Sequence, residues 1–463
     1  MEHKNEIVIA RTESLCPECL IRLPAERVMV DNTVVLRKHC PQHGSFEAVM
    51  WKGALPPSYS DHSEAPAQRP LYYIPEQPQG CPYDCGLCGN HRQHTCAALL
   101  EVTQRCNLHC PVCFAGSSAH HTQYEPDRAT VDQWYDQVMT ASGDCMIQLS
   151  GGEPTVRDDL CDIIIAGRKK GFSFIQVNTN GLRLSEEQGY AEHLKDAGLA
   201  SVFLQFDGTD DDIYYTLRGR PLLDMKRKAI ENCARAGLGV VLVPTVVPGV
   251  NDHTIGSILC EALRYAPAVR GVHFQPISYF GRYPCAPHNR MRITLPEIIA
   301  AIESQTGGRF SQRDLLSPAA NCEHALCSFH GTFVLMPDGT PMPVGQSGGC
   351  CSNQDASSDS GARKTIISLS RKWGSPPERS CCSCTSSPFD LGSRPSELDM
   401  FLERARSYTF SISGMAFQDV WTIDLERLKF CCIHVVAPDG RLVPFCAYNL
   451  TSSSGQPLHR KIV

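Results

Sequence analysis

The sequence predicts an α/β fold around a parallel sheet, and two patterns carry that prediction. From residue 99 onward, short apolar runs alternate with amphipathic helical patterns, as in repeated strand–helix units. The segment after the second run places Leu160, Ile163 and Ile164 on one apolar side and ends in basic residues before Gly171, as a helix does. The candidate strands are residues 99–103, 144–150, 173–179, 201–206, 239–246 and 271–276.

The composition argues against nucleic acid and against a membrane span. The chain has 463 residues, 42% of them hydrophobic, and a formal net charge of -6. It has no run rich in Lys and Arg that would bind a phosphate backbone. The N-terminal residues lack the apolar core of a signal peptide, and no apolar run reaches the roughly 18 residues that cross a bilayer. We therefore predict a cytoplasmic protein without a transmembrane segment and without a nucleic-acid partner.

Cysteine usage and Pro/Ser content divide the chain into four regions. A count of 25 cysteines in a chain expected in the reducing cytosol favours metal ligation over disulfides. We predict an N-terminal metal ribbon (12–52), a cysteine-cluster segment (72–98), a core domain (99–310) and a C-terminal α+β region (311–463). Within the last region, the Ser/Gly/Cys-rich stretch at about 345–398 is expected to be loop or disorder.

Three cysteines directly follow the first predicted strand. Cys106, Cys110 and Cys113 form a Cx3Cx2C triplet, which can bind three irons of a [4Fe-4S] cluster and leave the fourth open. An open iron can chelate S-adenosylmethionine (SAM), which an electron from the cluster would cleave to a 5'-deoxyadenosyl radical. The loop also lies where ligands bind in a parallel sheet, beyond a C-terminal strand end. For the triplet alone, a zinc knuckle or a chance match is the alternative.

The triplet, together with the residues that follow the next three predicted strands, resembles the radical SAM superfamily. The core of that superfamily is a partial (β/α)6 barrel. The resemblance implies that Glu153, in a GGEP motif, engages the SAM ammonium and that Arg218 pairs with the SAM carboxylate. Many members carry an aromatic residue just before the last cysteine, whereas this chain has Val112 there and Phe114 after it. The implied SAM-binding residues are Val112, Phe114, Ser150, Gly151, Gly152, Glu153, Pro154, Asn178, Asn180, Gln205, Asp207 and Arg218.

A second Cx3Cx2C group precedes the core. Cys81, Cys85 and Cys88, with Cys96 as a fourth thiolate, predict an auxiliary [4Fe-4S] cluster that is fully ligated and does not bind SAM. A structural Zn(Cys)4 site is the alternative. A second auxiliary cluster is expected in the C-terminal region. Its ligands are chosen from sequence that resembles ordered structure, and the cysteines of the CC and CCSC motifs are left out because they lie in the Ser-rich stretch. Its predicted ligands are Cys322, Cys327, Cys432 and Cys446.

The N-terminal region carries a third kind of site. Cys16 and Cys19 form a Cx2C knuckle, and Cys40 and His43 form a Cx2H knuckle. Together they offer four ligands to one tetrahedral ion, zinc or a rubredoxin-like iron, in a closed structural site. The alternative is that Cys40 and His43 are plain surface residues.

Longer phrases resemble one family more narrowly. CPYDCGLC, VTQRCNLHCPVCFA, LSGGEPTVRDDL and VPFCAYN resemble the family of dihydropterin radical SAM methyltransferases and tetraether lipid synthases. The resemblance implies methylation or carbon–carbon bond formation on an unreactive carbon of a small pterin-like substrate, or coupling of lipid tails. An electron donor such as a flavodoxin or ferredoxin is expected for any of these reactions.

Polar residues at the predicted strand ends bear on the choice of substrate. Gln205, Asp207 and Gln275 favour a small polar substrate over a lipid. A hypothesis of another class is a non-catalytic zinc-ribbon binding protein whose cysteines are all structural.

Overall fold

The computed structural model describes most of the chain in several stretches. The described residues are 6–56, 59, 70, 79–117, 125–315, 324–344, 372–374 and 397–460. They form a small antiparallel sheet and a large mixed sheet. No helix among these residues is long and apolar enough to cross a membrane.

The N-terminal region is a four-stranded antiparallel sheet in the order β1-β2-β3-β4. Cys16 and Cys19 lie in the turn from β1 to β2, and Cys40 and His43 lie at the turn from β3 to β4. Because β1–β2 and β3–β4 are successive hairpins, their two turns meet at one end of the sheet. The strands are β1 (Glu6–Leu15), β2 (Arg22–Val30), β3 (Thr33–Cys40) and β4 (Gly44–Lys52).

Six parallel strands form the centre of the large sheet, in the order β11-β9-β8-β7-β6-β5. Each overlaps one of the six predicted runs, so the sequence prediction of a parallel α/β core is confirmed. A short strand, β10 (Thr245–Val246), pairs with β11. The six are β5 (Ala97–Thr103), β6 (Met146–Gly151), β7 (Ile175–Thr179), β8 (Ser201–Gln205), β9 (Gly239–Val243) and β11 (Val269–Pro276).

The C-terminal region extends this sheet at both edges, which the sequence did not predict. Beside β11 lie β14 (Thr409–Met415), parallel to it, and then β12 (Ser328–Leu335) and β13 (Pro341–Pro343). Beside β5 lie β15 (Ile433–Val436), parallel to it, and then β16 (Leu442–Pro444). The C-terminal region therefore pairs with both edge strands of the parallel core.

Helices connect the core strands and have recognisable ends. The first helix begins after Asp127, whose carboxylate accepts a hydrogen bond from the Thr130 amide at 2.8 Å, and it ends at Gly143 with φ of 69°. Thr294 and Glu297 form a capping box at the start of another.

The helices, in chain order, are α1 (Arg128–Ser142), α2 (Leu160–Lys169), α3 (Leu182–Glu186), α4 (Tyr190–Asp196), α5 (Asp211–Arg218), α6 (Leu223–Arg235), α7 (Ile255–Arg264), α8 (Leu295–Gln305), α9 (Gln312–Leu315), α10 (Glu397–Ser407), α11 (Leu425–Lys429) and α12 (Phe445–Asn449).

Alternation along each core strand separates an apolar face from a partly polar one. Leu100 and Val102 on β5 pack in the main core with the helices, whereas Leu99 packs in a second cluster with C-terminal residues. On the inner face, Gln148 donates to Gln176 at 2.9 Å, and Gln176 donates to Ser201 at 3.2 Å. The inner face is therefore lined by hydrogen-bonded side chains rather than by aliphatic ones alone.

Residues 372–374 are described within the stretch that was expected to be loop or disorder, most of which lies outside the described residues. Trp373 packs its ring 5.7 Å from the ring of Phe203 and 6.2 Å from that of His273. Its indole nitrogen donates to Ser411 Oγ at 3.0 Å. A Cβ on Gly239, the first residue of β9, would lie 2.7 Å from the Trp373 carbonyl oxygen. Trp373 therefore packs near the N-terminal strand ends, opposite the edge where ligands bind.

Candidate radical SAM and metal sites

The Cx3Cx2C loop leaves β5 and lies beyond the C-terminal strand ends, as predicted. Cys106, Cys110 and Cys113 are each partly buried. Burial raises the pKa of Cys106 to about 12 and also raises the pKa of Cys110. A thiol in such an environment becomes a thiolate only when a bound cation stabilises it. This donor set therefore fits an iron-sulfur cluster.

Two arginines fix the backbone of this loop, and only one of them was singled out from the sequence. Arg282 exchanges backbone hydrogen bonds of 2.9 Å with Cys113, and its Nε donates to the Cys110 carbonyl at 2.8 Å. Arg218 Nη1 donates to the Val112 carbonyl at 3.3 Å. A Cβ on Gly281 would lie 2.5 Å from the Phe114 carbonyl oxygen, so glycine is required there. Arg282 carries no motif that would have identified it beforehand.

The GGEP segment crosses the start of the cluster loop at close range. Gly152 donates from its amide to the Thr103 carbonyl at 2.7 Å, and Glu153 to that of Arg105 at 2.8 Å. A Cβ on Gly151 would lie 2.0 Å from the Thr103 oxygen, and one on Gly152 2.2 Å from the Arg105 oxygen. The two glycines are therefore required by backbone-to-backbone contact. Ser150, before them, and Pro154, after Glu153, are both buried.

Glu153 is 1% exposed and accepts hydrogen bonds on both carboxylate oxygens. Oε1 accepts from the Thr155 amide at 3.1 Å, the Thr155 hydroxyl at 2.6 Å and the Thr179 hydroxyl at 2.6 Å, and Oε2 accepts from the Asn180 amide at 2.7 Å. In this arrangement the carboxylate joins the ends of β6 and β7. Its immediate partners are thus protein groups, which the sequence did not predict.

Asn178 and Asn180 lie at the end of β7. Asn180 Nδ2 donates to Asn107 Oδ1, within the cluster loop, at 2.7 Å. Asn178 Oδ1 is buried and has no hydrogen-bond partner among the described residues. A buried acceptor in this state indicates a missing donor. Because SAM offers ammonium and ribose hydroxyl donors, Asn178 fits SAM at this strand end.

A buried charge network lies beside the loop, at the ends of β8 and β10. Arg218 donates from Nε to Asp207 Oδ2 at 2.6 Å and from Nη2 to Oδ1 at 2.9 Å. Although burial alone would lower it, the Asp207 carboxylate raises the pKa of Arg218. Gln205 donates to Asp207 as well. The structure therefore brings the predicted residues Gln205, Asp207 and Arg218 together. The guanidinium of Arg218 is paired with the Asp207 carboxylate.

Lys226, on α6, completes this network and was not predicted. Its side chain is fully buried, and Nζ donates to the Asn180 carbonyl at 2.5 Å and to Gln205 Oε1 at 2.6 Å. Burial lowers the pKa of Lys226 to about 7, with Asp207 opposing that shift. The lysine lies in a helix whose other polar residues are mostly exposed, so the sequence pattern does not distinguish it.

The two knuckles of the N-terminal sheet converge. The ligand atoms of Cys16, Cys19, Cys40 and His43 all lie within 4.8 Å of one another. His43 Nδ1 lies 3.4 Å from Cys40 Sγ, and Cys19 Sγ lies 4.0 Å from Cys40 Sγ. Ligands of one tetrahedral zinc with 2.3 Å metal–sulfur bonds stand about 3.8 Å apart. The predicted set thus has the spacing of a single-ion site.

This sheet is attached to the C-terminal region by buried polar contacts. Lys38 is 5% exposed, and its Nζ donates to Ser14 Oγ at 2.9 Å and to the carbonyls of Val420 and Trp421 at 2.8 and 3.0 Å. Arg27 pairs with the buried Asp424 at 3.1 Å. The ribbon is therefore held against the segment that precedes α11.

The second Cx3Cx2C group gathers near a cysteine that was not selected. A hydrogen bond with Cys81, together with burial, raises the pKa of Cys85, and Cys88 and Cys431 lie within electrostatic range of that thiol. Cys96 lies beside Cys432 instead, its amide donating to the Cys432 carbonyl at 2.8 Å. His91 Nε2 lies 2.7 Å from the Cys431 carbonyl oxygen. Cys431 is thus placed near the first three ligands.

Two of the four predicted C-terminal ligands lie in a common environment. Burial raises the pKa of Cys446, which lies within electrostatic range of Cys431 and Cys327. Arg427 Nη2 donates to Cys327 Sγ at 3.3 Å. Cys322 lies outside the described residues. Cys432 packs with Cys96.

Comparison with known proteins gives matches over the core, over the ribbon and over nearly the whole chain. Residues 100–259 match the radical SAM superfamily, and residues 8–52 match the HMPTM N-terminal zinc ribbon domain. The 7,8-dihydro-6-hydroxymethylpterin dimethyltransferase of Methanocaldococcus jannaschii is 34% identical over 95% of this chain and 93% of that protein.

More distant similarity is confined to part of the chain. A probable GTP 3',8-cyclase of Methanothermobacter marburgensis is 32% identical over 168 residues, which is 36% of this chain and 53% of that protein. The crystal structure of Streptococcus suis SuiB bound to precursor peptide SuiA covers 47% of this chain and 46% of that chain, with 15% identity and a TM-score of 0.40.

Proposed function

The chain belongs to the radical SAM enzyme family that includes the 7,8-dihydro-6-hydroxymethylpterin dimethyltransferase, and we propose that it methylates an unreactive carbon of a dihydropterin. The observation that carries this proposal is similarity that runs from the ribbon through the C-terminal region rather than over the core alone. Family membership makes the chain a radical SAM enzyme rather than a non-catalytic zinc-ribbon protein.

We assign Cys106, Cys110 and Cys113 as the cluster ligands. When bound, the cluster supplies the electron that cleaves SAM to a 5'-deoxyadenosyl radical. Arg282 and Arg218 hold the loop carbonyls of Cys110 and Val112, which keeps the three thiols in place. Phe114 follows the last ligand and is 38% exposed, and its ring lies 6.0 Å from that of Phe445.

The SAM-binding residues act in two ways in this proposal. Asn178 contacts SAM directly, because its buried Oδ1 lacks a partner among the described residues. Glu153 and Asn180 shape the site, since Glu153 joins two strand ends and Asn180 reaches Asn107 in the cluster loop. Asp207 orients Arg218, which then supports the loop rather than the SAM carboxylate.

We further propose an auxiliary [4Fe-4S] cluster held by Cys81, Cys85, Cys88 and Cys431. The hydrogen-bonded thiols and the nearby Cys431 support this ligand set over the one with Cys96. A second auxiliary cluster would use Cys327 and Cys446, with Cys322 as a further candidate from the sequence. Cys432 is then a less favourable ligand, since it packs against Cys96.

The ribbon set Cys16, Cys19, Cys40 and His43 is proposed to hold zinc or a mononuclear iron in a closed site. Because all four ligands come from the protein, no position remains for substrate, and the site is structural. The physiological reductant is proposed to be a small electron carrier such as a flavodoxin or ferredoxin, and the location to be the cytoplasm.

The test is an anaerobic reaction of the reconstituted enzyme with SAM, dithionite and 7,8-dihydro-6-hydroxymethylpterin, followed by mass spectrometry. Cleavage of SAM to 5'-deoxyadenosine leaves its methyl group on methionine, so the methyl carbon must come from a second SAM or from a methylene-carrying tetrahydropterin, and the reaction is run with excess SAM alone and with such a donor added. We expect 5'-deoxyadenosine and a pterin that has gained the mass of one or two methyl groups, neither of which forms with the Cys113→Ala variant. Formation of 5'-deoxyadenosine with an unaltered pterin under both donor conditions would reject the proposed substrate. Retained cleavage of SAM in Cys113→Ala would reject the ligand assignment.

A further inference from the structure

A buried ion pair joins the first core strand to the last described residue of the chain. Arg460 donates from Nη1 to Glu101 Oε2 at 2.9 Å and from Nη2 to Glu101 Oε1 at 2.7 Å, and each residue is 9% exposed. Arg460 Nη2 also donates to Asn449 Oδ1 at 2.6 Å, and the Tyr448 hydroxyl to Glu101 Oε2 at 3.3 Å. The guanidinium is therefore fixed on two of its three nitrogens.

The third nitrogen has an unused donor. Arg460 Nε is buried and has no hydrogen-bond partner among the described residues. Folded proteins seldom leave a buried donor of a charged group without an acceptor, because its desolvation is then uncompensated. The guanidinium plane is held by Glu101 and Asn449, so Nε has a defined direction. The described residues supply no acceptor for this donor.

The surroundings of this donor are aromatic and include one residue of the cluster loop, Phe114. The guanidinium carbon of Arg460 lies 5.9 Å from the ring centre of Phe114 and 5.0 Å from that of Tyr448. Phe114 follows Cys113, which lies within electrostatic range of Arg460. Phe445 stands 6.0 Å from the Phe114 ring. An acceptor on Arg460 Nε would thus lie near aromatic rings and near the loop that carries Cys113.

The charge of the site selects the kind of acceptor. Glu101 neutralises Arg460 in a bidentate pair, so an additional anion such as a phosphate would find no net positive charge from this pair. An uncharged carbonyl oxygen or ring nitrogen needs only the single donor. Aromatic side chains favour a planar group packed against them. The chemistry that fits is an uncharged planar heterocycle with a carbonyl or imine acceptor on its edge.

We propose that Arg460 recognises the substrate by donating a hydrogen bond from Nε to a carbonyl oxygen or ring nitrogen of the pterin, whose ring packs against Phe114. Glu101 and Asn449 are positioning residues that hold the guanidinium for this contact. The inference rests on the proposed function, because the pterin is the heterocycle in question. It places the substrate against the C-terminal segment as well as against the core.

The test is anaerobic fluorescence titration of the reconstituted enzyme with 6-hydroxymethylpterin, which is intrinsically fluorescent. Arg460→Lys keeps the positive charge beside Glu101 but lacks the planar donor, and it should weaken binding about tenfold or more. The matched control is Arg292→Lys, the same change in the buried pair with Asp419, which should bind the probe like wild type.

The outcomes separate this inference from the proposed function. Binding of the probe to wild type and to Arg460→Lys with equal affinity overturns the role of Arg460 and leaves the proposed function standing. Absence of binding to wild type overturns the inference, and the methylation assay with the 7,8-dihydro substrate then decides whether the proposed function fails with it. If Arg460→Lys does not fold, Glu101→Gln decides, with unchanged affinity overturning the inference and weakened affinity supporting it. Displacement of the probe by millimolar inorganic phosphate would overturn the choice of an uncharged acceptor.

Discussion

The backbone amide of Asn180 donates a hydrogen bond of 2.7 Å to Oε2 of Glu153, which connects the end of β7 to the end of β6. The Thr155 amide donates to Oε1 of the same carboxylate at 3.1 Å. Each oxygen therefore faces a backbone N–H, which cannot be converted into an acceptor. A carboxylate is the group that satisfies both amides at once.

Glu153→Gln should consequently destabilise the enzyme and weaken SAM binding. Whichever way the new amide turns, its NH2 group faces one of the two backbone donors, and a buried donor is left unsatisfied at a cost of about 1 to 3 kcal/mol. The turn that carries Asn180 would shift with it. Anaerobic thermal unfolding and equilibrium binding of SAM measure the two effects, and iron content should remain that of wild type.

The isosteric change Glu192→Gln serves as the control, since Glu192 is exposed on α4 and should tolerate it. Wild-type SAM affinity in Glu153→Gln would show that the strand-end connection does not shape the SAM site.

Cys431→Ser and Cys96→Ser should differ in iron content. If Cys431 is the fourth ligand beside Cys81, Cys85 and Cys88, its loss should remove or make labile one cluster of about four irons. Cys96→Ser should keep the wild-type iron content, because the Cys96 thiol lies beside His94 at 3.5 Å and Cys96 packs with Cys432. Iron analysis with electron paramagnetic resonance of reduced protein measures both. The reverse result would restore Cys96 as the ligand.

The radical SAM loop and the ribbon should lose their metals independently. Cys40→Ser removes a ligand from a closed four-ligand site, so the ribbon metal should be lost and the melting temperature should fall, since ribbon folding is coupled to metal binding. The visible spectrum of the clusters should persist. Cys260→Ser, at an exposed cysteine on α7, is the matched control. Retention of a full equivalent of ribbon metal in Cys40→Ser would contradict the ligand set.

The core strands were predictable because their pattern is local. Each run of apolar residues bounded by turn residues, such as 201–206, contains its own evidence of a buried strand. The Cx3Cx2C and Cx2C motifs could likewise be recognised, because ligands a few residues apart lie in one loop and do not depend on contacts with distant segments. The strands added at the two edges of the core sheet were not predictable, because the pairing of β14 with β11 and of β15 with β5 depends on contacts between distant segments.

The choice between neighbouring cysteines shows the same limit. Cys431 and Cys432 are adjacent at the start of β15, and successive side chains on extended backbone point to opposite sides. The sequence analysis selected Cys432 for the C-terminal cluster, whereas the position of each side chain depends on the register of β15 against β5. Arg282 and Lys226 were missed for a related reason, because a single basic residue acquires its role from the distant loop that it contacts.

His273 should make the enzyme sensitive to acid through burial alone. Burial lowers the pKa of His273 to about 4, and the ring lies 5.4 Å from Phe203, with Nδ1 2.9 Å from Ser413 Oγ. Between this pKa and the ordinary value near 6.5 the unfolded chain binds a proton that the folded protein does not. Stability should therefore fall as pH drops through that window, by roughly 3 kcal/mol in total from this group, and level off below it.

His273→Gln isolates that contribution, because glutamine retains a polar group near Ser413 and does not titrate. His91 also has a pKa that burial lowers to about 4, so wild type and variant will both lose stability in acid, and the informative quantity is their difference. The melting temperature of wild type, measured anaerobically from pH 8 to pH 4, should decline more steeply than that of His273→Gln below about pH 6.5. Parallel curves for the two proteins would mean that His273 is protonated in the folded state over this range, and that its buried ring contributes nothing to acid sensitivity.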